Sequence, residues 1–230
     1  MNIKILQCIE GAKKATGLTV VIDVFRAFSM EAYMFSMGAE KVIPIGDVAL
    51  AYKLKEEHPE MILAGERGGK ILPGFDVGNS PAELLGMDIS GKTVVHTTSA
   101  GTQGIANSNG ADEIIGGSLL TARAIAKYIK DKNPEEVSLV CMGYAGEYET
   151  EEDTLCAEYI KSLLEEKSFD MESGIELVRK TSGAKFFDPG QNDVFPEKDF
   201  DLCTRVGAFN FVLRLTKDEE LPYMEKILID

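Results

Sequence analysis

Asp23 and Arg26 stand three positions apart, directly after the apolar run Val20-Val21-Ile22. A carboxylate and a guanidinium so placed can bind a hard cation, attack an electrophile or clamp an oxyanion. The β-branched run in front of them reads as a strand buried on both faces. Residues just past the carboxyl end of such a strand sit where open α/β sheets gather their ligands.

Three further polar clusters also follow apolar runs. Gly65-Glu66-Arg67-Gly68-Gly69 comes after residues 61–64 and continues into Pro73-Gly74-Phe75-Asp76-Val77-Gly78-Asn79-Ser80-Pro81. Glycines beside a charged pair let backbone approach a ligand, while the arginine fork suits phosphate or sulfonate. An ion pair in a tight turn would use the same residues, and Asn79-Ser80-Pro81 has the composition of a helix cap. Thr97-Thr98-Ser99-Ala100-Gly101-Thr102 follows the run at 93–96 and has the hydroxyls and glycine of a phosphate cradle, or equally of a plain N-cap. It lacks the Gly-Lys-Ser/Thr of a Walker loop. Thr150-Glu151-Glu152-Asp153 opens an amphipathic stretch with capping-box spacing between Thr150 and Asp153, which is a sufficient structural reason for both.

Other chemistries are excluded by what is missing. No cysteine has an arginine six positions on, and Asp23-Val24-Phe25 lacks a second aspartate. There are two histidines, His58 in a polar stretch and His96 at a strand end, where packing or lining is expected of it. Neither a Ser-His-Asp triad nor a histidine-rich zinc site can be assembled. What remains is carboxylates with a hard cation, Mg²⁺ by expectation, plus arginines.

The elements that must position these groups alternate along the chain. Strands are expected at 3–6, 18–22, 41–45, 61–64, 93–96, 113–115 and 137–142. Helices are expected at 27–37, after Asp47, at 121–130, after Thr150 and after Asp170. This pattern predicts an α/β fold with a largely parallel sheet. The stretch from Thr19 can be laid over that from Thr93, an offset of 74 residues, with Val20-Val21 on Val94-Val95 and, after a two-residue gap, Gly38-Ala39 on Gly110-Ala111. That offset is too long for a solenoid. One domain over 1–230 is expected, and the echo reads either as two similar lobes, about 1–90 and 91–230, or as the likeness that any two βαβ units share. Residues 182–195 read as loop, Pro196 as the first residue of a short helix, and 207–215 as a strand.

The chain has 230 residues, is 44% hydrophobic and 27% charged, and carries a net charge of −14. That acidity, with a pI of about 4.7, argues against nucleic acid or an anionic membrane as a partner. Nothing at the N-terminus reads as a signal peptide, so a cytoplasmic location is expected. Cys8, Cys141, Cys156 and Cys203 form no CxxC pair and read as reduced, mostly buried thiols.

Taken in order, the clusters resemble the 2-phosphosulfolactate phosphatase family. The matching segments are Asp23-Val24-Phe25-Arg26-Ala27, Gly65-Glu66-Arg67-Gly68-Gly69, Gly74-Phe75-Asp76-Val77-Gly78-Asn79-Ser80-Pro81, Thr97-Thr98-Ser99-Ala100-Gly101-Thr102 and Glu152-Asp153-Thr154-Leu155-Cys156-Ala157. They span residues 20–164, with a weaker likeness beyond. The resemblance implies a three-layer α/β/α architecture and Mg²⁺-dependent hydrolysis of a small anionic phosphomonoester. In coenzyme M biosynthesis that substrate is 2-phosphosulfolactate. The family often has a leucine and then threonines where this chain has Phe25 and Phe28-Ser29-Met30, and Thr and Asn where it has Ser99 and Ala100. The substrate is therefore expected as a class, a phosphate ester with a second acidic group.

By the same resemblance Asp23 is the central carboxylate, attacking phosphorus or binding Mg²⁺, with Arg26 and Arg67 neutralising the transferring phosphoryl group and Glu66 in the catalytic set. Asp23, Asp76 and Asp153 are the expected metal ligands. Asn79, Ser80, Thr97, Thr98, Ser99, Gly101 and Thr102 are the expected substrate contacts. A homodimer is the assembly to test for. A protein that binds a phosphorylated or sulfonated metabolite without cleaving it, or a phosphatase for another phospho-hydroxy acid, would use the same pocket.

Overall fold

Apolar runs and amphipathic stretches alternate along the chain, and the backbone follows them. A computed structural model describes residues 1–230. Strand Asn2–Gln7 (β1) and the short helix Cys8–Ala12 (α1) lead into strand Gly17–Ile22 (β2). Next come helix Ala27–Ser36 (α2), strand Lys41–Pro44 (β3), helix Val48–Glu57 (α3), strand Ile62–Arg67 (β4) and the edge strand Lys70–Ile71 (β5). The middle of the chain supplies helix Pro81–Leu84 (α4), strand Thr93–Thr97 (β6), helix Gly101–Asn107 (α5), strand Ala111–Gly117 (β7), helix Ala122–Lys132 (α6) and strand Glu136–Cys141 (β8). Helices Glu151–Leu164 (α7) and Met171–Lys180 (α8) follow. Two 3-10 turns, Ala184–Phe187 and Pro189–Gln191, precede helix Glu197–Cys203 (α9). Strands Phe211–Thr216 (β9) and Tyr223–Leu228 (β10) close the chain as a hairpin.

All ten strands join one sheet in the order β1-β8-β2-β7-β9-β10-β3-β6-β4-β5. Successive side chains of β2 enter different cores, as strand geometry requires. Val21 packs in a core with Phe28, Met34 and Phe35 of α2, whereas Val20 and Ile22 join Ile125 of α6 and Ile160 of α7 in another. Helices thus cover both faces of the sheet and make the three-layer arrangement. Helix α2 is buried on every side from Ala27 to Phe35, which explains why its apolar residues are not confined to one stripe. No helix is long and apolar enough to cross a membrane.

The halves of the sheet do not follow the halves of the chain. On one side of the β9–β10 hairpin the order is β8-β2-β7; on the other it is β3-β6-β4. So β2, the first strand of the leading copy, lies between two strands of the trailing copy, and β6 lies between two strands of the leading one. Chain segments 1–90 and 91–230 each contribute to both sides. β7 opposes β9, β9 opposes β10 and β10 opposes β3, so the two parallel halves run in opposite senses where they meet. Five neighbour steps separate β2 from β6. At roughly 20–25° of twist per step, strand direction turns by ~100–125° along that path. Residues just past the carboxyl ends of β2 and β6, Asp23 and Thr98, line one hollow.

The sequence missed α1, β5 and β10. Pro196 is the residue before α9, not its first helical residue, with an extended ψ of 136°. The four cysteines are unpaired and buried.

Candidate active site

Asp23 lies one residue beyond β2. Its amide continues the ladder by donating to Gly117 O, and its Oδ1 accepts from Ala27 N at 3.0 Å, anchoring the start of α2. The residue is 5% exposed. Burial, with Glu66 and Glu152 nearby, raises its pKa from 3.8 to about 6, against the Ala27 hydrogen bond, which opposes the rise. Gly101 explains how closely the hydroxyl turn approaches it. A Cβ at that position would lie 2.8 Å from Ala27 Cβ and 3.1 Å from Asp23 Oδ2. Only a glycine lets the first turn of α5 pack there.

Asp23 forms the floor of a cavity of about 150 Å³. Its wall includes Phe25, Arg26, Glu66, Gly68, Gly69, Asn79, Thr98, Ser99 and Ala100, and on the opposite side Gly143, Tyr144, Ala145, Thr150, Glu152, Lys185 and Phe195. Residues from both halves of the sheet therefore share one hollow.

The capping box expected at Thr150 and Asp153 does not form. Thr150 Oγ1 is buried without a partner. Asp153 instead accepts from Val24 N and Gly143 N, each at 2.8 Å, tying together the segments that leave β2 and β8. Both of its oxygens are engaged, and burial, with Glu152 and Asp23 close by, holds its pKa well above the ordinary value. Glu152 faces the cavity, is 3% exposed and keeps Oε2 without any partner. Its pKa is raised by burial, with Lys185 pulling the other way.

Glu66 organises two loops. It accepts from Ser99 N at 2.8 Å and Ser99 Oγ at 3.2 Å, and from Gly69 N at 2.7 Å. Arg67 turns away from the hollow: its Nη2 donates to Thr97 Oγ1 at 2.8 Å and Gly46 O at 2.9 Å, and its Nη1 to Glu66 O at 2.7 Å. Thr97 is thereby a strut between β6 and β4. Asp76 is also outside the cavity. Its carboxylate accepts from Leu63 N at 2.8 Å and pairs with Lys55 at 3.1 Å, pinning the loop after β5 to β4. Thr98 lines the cavity and Thr102 stands behind it, donating to Thr98 O at 2.9 Å.

The cations of the hollow are Arg26 and Lys185. Arg26 Nη1 donates to Asp199 Oδ2 at 2.8 Å, and both residues are buried. Asp199 Oδ1 accepts from Ser80 Oγ at 3.0 Å and Ala82 N at 2.8 Å. Ser80 is therefore a cap and a prop for this carboxylate, with its hydroxyl also accepting from Glu83 N. Lys185 makes no ion pair within the chain. Its ammonium lies 5.1 Å from the ring centre of Phe195, which Arg26 also faces at 5.0 Å. Burial lowers the Lys185 pKa, with Glu152 opposing. Sequence patterns gave no role to Lys185, Phe195 or Asp199. The signal available was the Lys185-Phe186-Phe187 run between Gly183 and Pro189, an aromatic pair beside a cation in a segment otherwise composed like a loop.

The hollow thus combines buried carboxylates, two cations and a hydroxyl-bearing turn, the parts needed to receive an oxyanion and a hard metal. The family model described as 2-phosphosulpholactate phosphatase matches residues 4–218. The chain belongs to the 2-phosphosulfolactate phosphatase family. Relatives include three proteins named probable 2-phosphosulfolactate phosphatase. The one from Bacillus subtilis is 29% identical over all of both chains. The one from Thermotoga petrophila is 41% identical over 84% of this chain and 86% of its own. The one from Clostridium perfringens is 38% identical over 93% and 83%. The family groups phosphoric monoester hydrolases.

Membership in this phosphatase family implies a metal, and the residues present can be tested for it. No group of three or more His, Cys, Asp or Glu side chains is arranged to hold one alone. Mg²⁺ is commonly held by one or two carboxylates, with water and substrate phosphate completing its shell. Asp23, with one oxygen free of backbone, and Glu152, with an orphaned buried oxygen, fit that demand. Asp153, with both oxygens engaged, and Asp76, which lies outside the cavity and is tied through Oδ2 to Leu63 N and Lys55, do not.

Proposed function

We propose that the protein hydrolyses a small phosphate monoester bearing a second acidic group, with 2-phosphosulfolactate as the first candidate, in a Mg²⁺-dependent reaction. One observation carries the reading. In a chain of this family, a buried carboxylate of raised pKa shares a hollow with two cations and a hydroxyl turn. Asp23 and Glu152 would hold Mg²⁺, which when bound supplies positive charge to the phosphoryl oxygens. Arg26, with Nη1 committed to Asp199, offers its remaining donors to the phosphoryl group, where guanidinium groups stabilise developing charge. Lys185 takes the second acidic group. Thr98 and the backbone of Ser99 and Ala100 border the same anion. The acidic pI of about 4.7 supports a free small metabolite as substrate, with neither nucleic acid nor an anionic membrane as partner.

A phosphate-release screen over small phosphomonoesters, with Mg²⁺ and with EDTA, tests this. Release should require the metal and favour esters with a second anion, and Asp23→Asn should abolish it without unfolding the protein. Thermal stabilisation by such esters with no phosphate released would move the reading to a binding protein.

A further inference from the structure

We infer that Glu31 and His96 form a positioning relay that holds the Asn79 side-chain amide with its NH2 group toward the substrate's oxyanion. That the anion belongs to a phosphate ester rests on the function proposed above. The relay itself rests on three residues, one on α2, one on β6 and one in the loop before α4.

Glu31 lies on α2, the helix buried on all sides, and is 1% exposed; His96 on β6 is 0% exposed. A carboxylate and an imidazole at such sites are costly unless each meets a partner. His96 Nδ1 lies 2.9 Å from Glu31 Oε1, and His96 Nε2 lies 3.2 Å from Asn79 Oδ1. With Asn79 Oδ1 facing it, Nε2 is the donor of this bond and carries the hydrogen, and that tautomer is what the relay requires. One proton is then shared between Nδ1 and the carboxylate. Whichever of the two holds it, Nε2 donates to Asn79 Oδ1. This leaves Asn79 Nδ2, which makes no hydrogen bond within the chain, as the polar atom available to the hollow that Asn79 lines. An NH2 group so fixed is a donor already aimed at an anion, with no reorientation needed on binding.

Stability alone does not account for the arrangement. Well-packed apolar residues commonly replace a buried ionic pair at no loss. Here Glu31 Oε2 also stays buried with no partner at all. Retaining a polar chain that ends at the cavity wall is explained by what it does to Asn79.

Two measurements test the relay. The first is the ¹⁵N spectrum of histidine-labelled protein, with a His58→Gln variant to assign His96. His96 Nε2 should resonate as a protonated nitrogen with an attached hydrogen; an unprotonated Nε2 overturns the relay, and this readout needs no turnover. The second is binding of inorganic phosphate in Mg²⁺-containing buffer by Asn79→Ala, His96→Leu and the double variant. Each single change should weaken binding roughly 10–100-fold, the range for a hydrogen bond to a charged group. The double variant should bind no worse than Asn79→Ala alone, since His96 acts through Asn79. Additive losses, or unchanged binding in folded His96→Leu protein, overturn the relay. A protonated Nε2 with non-additive phosphate binding but no ester cleaved would remove the phosphatase reading and leave the relay standing.

Discussion

Moving a carboxylate from water to the floor of the hollow penalises its charged form, and Asp23 shows the consequence in a pKa of about 6. In the unfolded chain the group titrates near 3.8. The folded state therefore holds its proton more tightly, and stability falls as pH rises between those values. Below 3.8 the penalty is absent; above about 6 it is complete, at ~3 kcal/mol for the difference between those two values. In metal-free buffer, Asp23→Asn should then raise the melting temperature at pH 7 and lose that gain by pH 4. A melting temperature equal to wild type at both pH values would show that the charge is not penalised. Lys185 makes a separate prediction. Lacking a carboxylate partner, it is free to meet the second anion of the substrate. Lys185→Gln should raise KM about 10-fold for esters with a second acidic group, as expected for losing a charge-assisted hydrogen bond. KM for a phosphate ester without one should change little.

At the scale of elements, the polar groups of the site double as joints. Asp199 on α9 joins Arg26 at the start of α2 and the first turn of α4 through three hydrogen bonds. Asp199→Ala would strand a buried guanidinium and release a helix start. Removing one partner of a buried pair typically destabilises by ~3–5 kcal/mol. Urea unfolding should show a loss of that order; a loss within ~0.5 kcal/mol, the usual range for surface changes, would mean that Arg26 is solvated. Glu66 and Asp153 act in the same way, each fastening two loops by accepting backbone N–H groups. The site is rigid because the loops that build it are hydrogen-bonded to its own carboxylates.

For the whole molecule, the β9–β10 hairpin is the joint between two parallel half-sheets. β10 pairs with β9 over six residues and with β3 at Met224, which is fully buried. Ending the chain after Thr216 would remove β10 and open two strand edges in the middle of the sheet. Such edges are aggregation sites. The truncated protein should lack a cooperative thermal transition and be found in the insoluble fraction; a soluble, two-state product would show that the halves close without the hairpin.

Much of this is legible in the residues alone. The run Thr19-Val20-Val21-Ile22 could only be satisfied by burial on both faces, so β2 and the position of Asp23 at its end were determined locally, as were the helices that begin after Asp47 and Asp170. The glycine-rich and hydroxyl clusters marked where backbone must bend. What local pattern could not carry is the direction in which a long charged side chain turns. Arg26 and Arg67 look alike in sequence, each set in a polar cluster after an apolar run. One meets Asp199, 173 residues away, and stays at the hollow; the other is captured by Thr97 and two carbonyls and leaves it. Lys185 sits in a segment with no periodicity to read, and only its packing against Phe195 and Phe186 brings it to Asp23. Strand ends are dictated by neighbours in sequence. The destination of a charge is dictated by the partner that relieves its desolvation, and that partner is chosen by the tertiary fold.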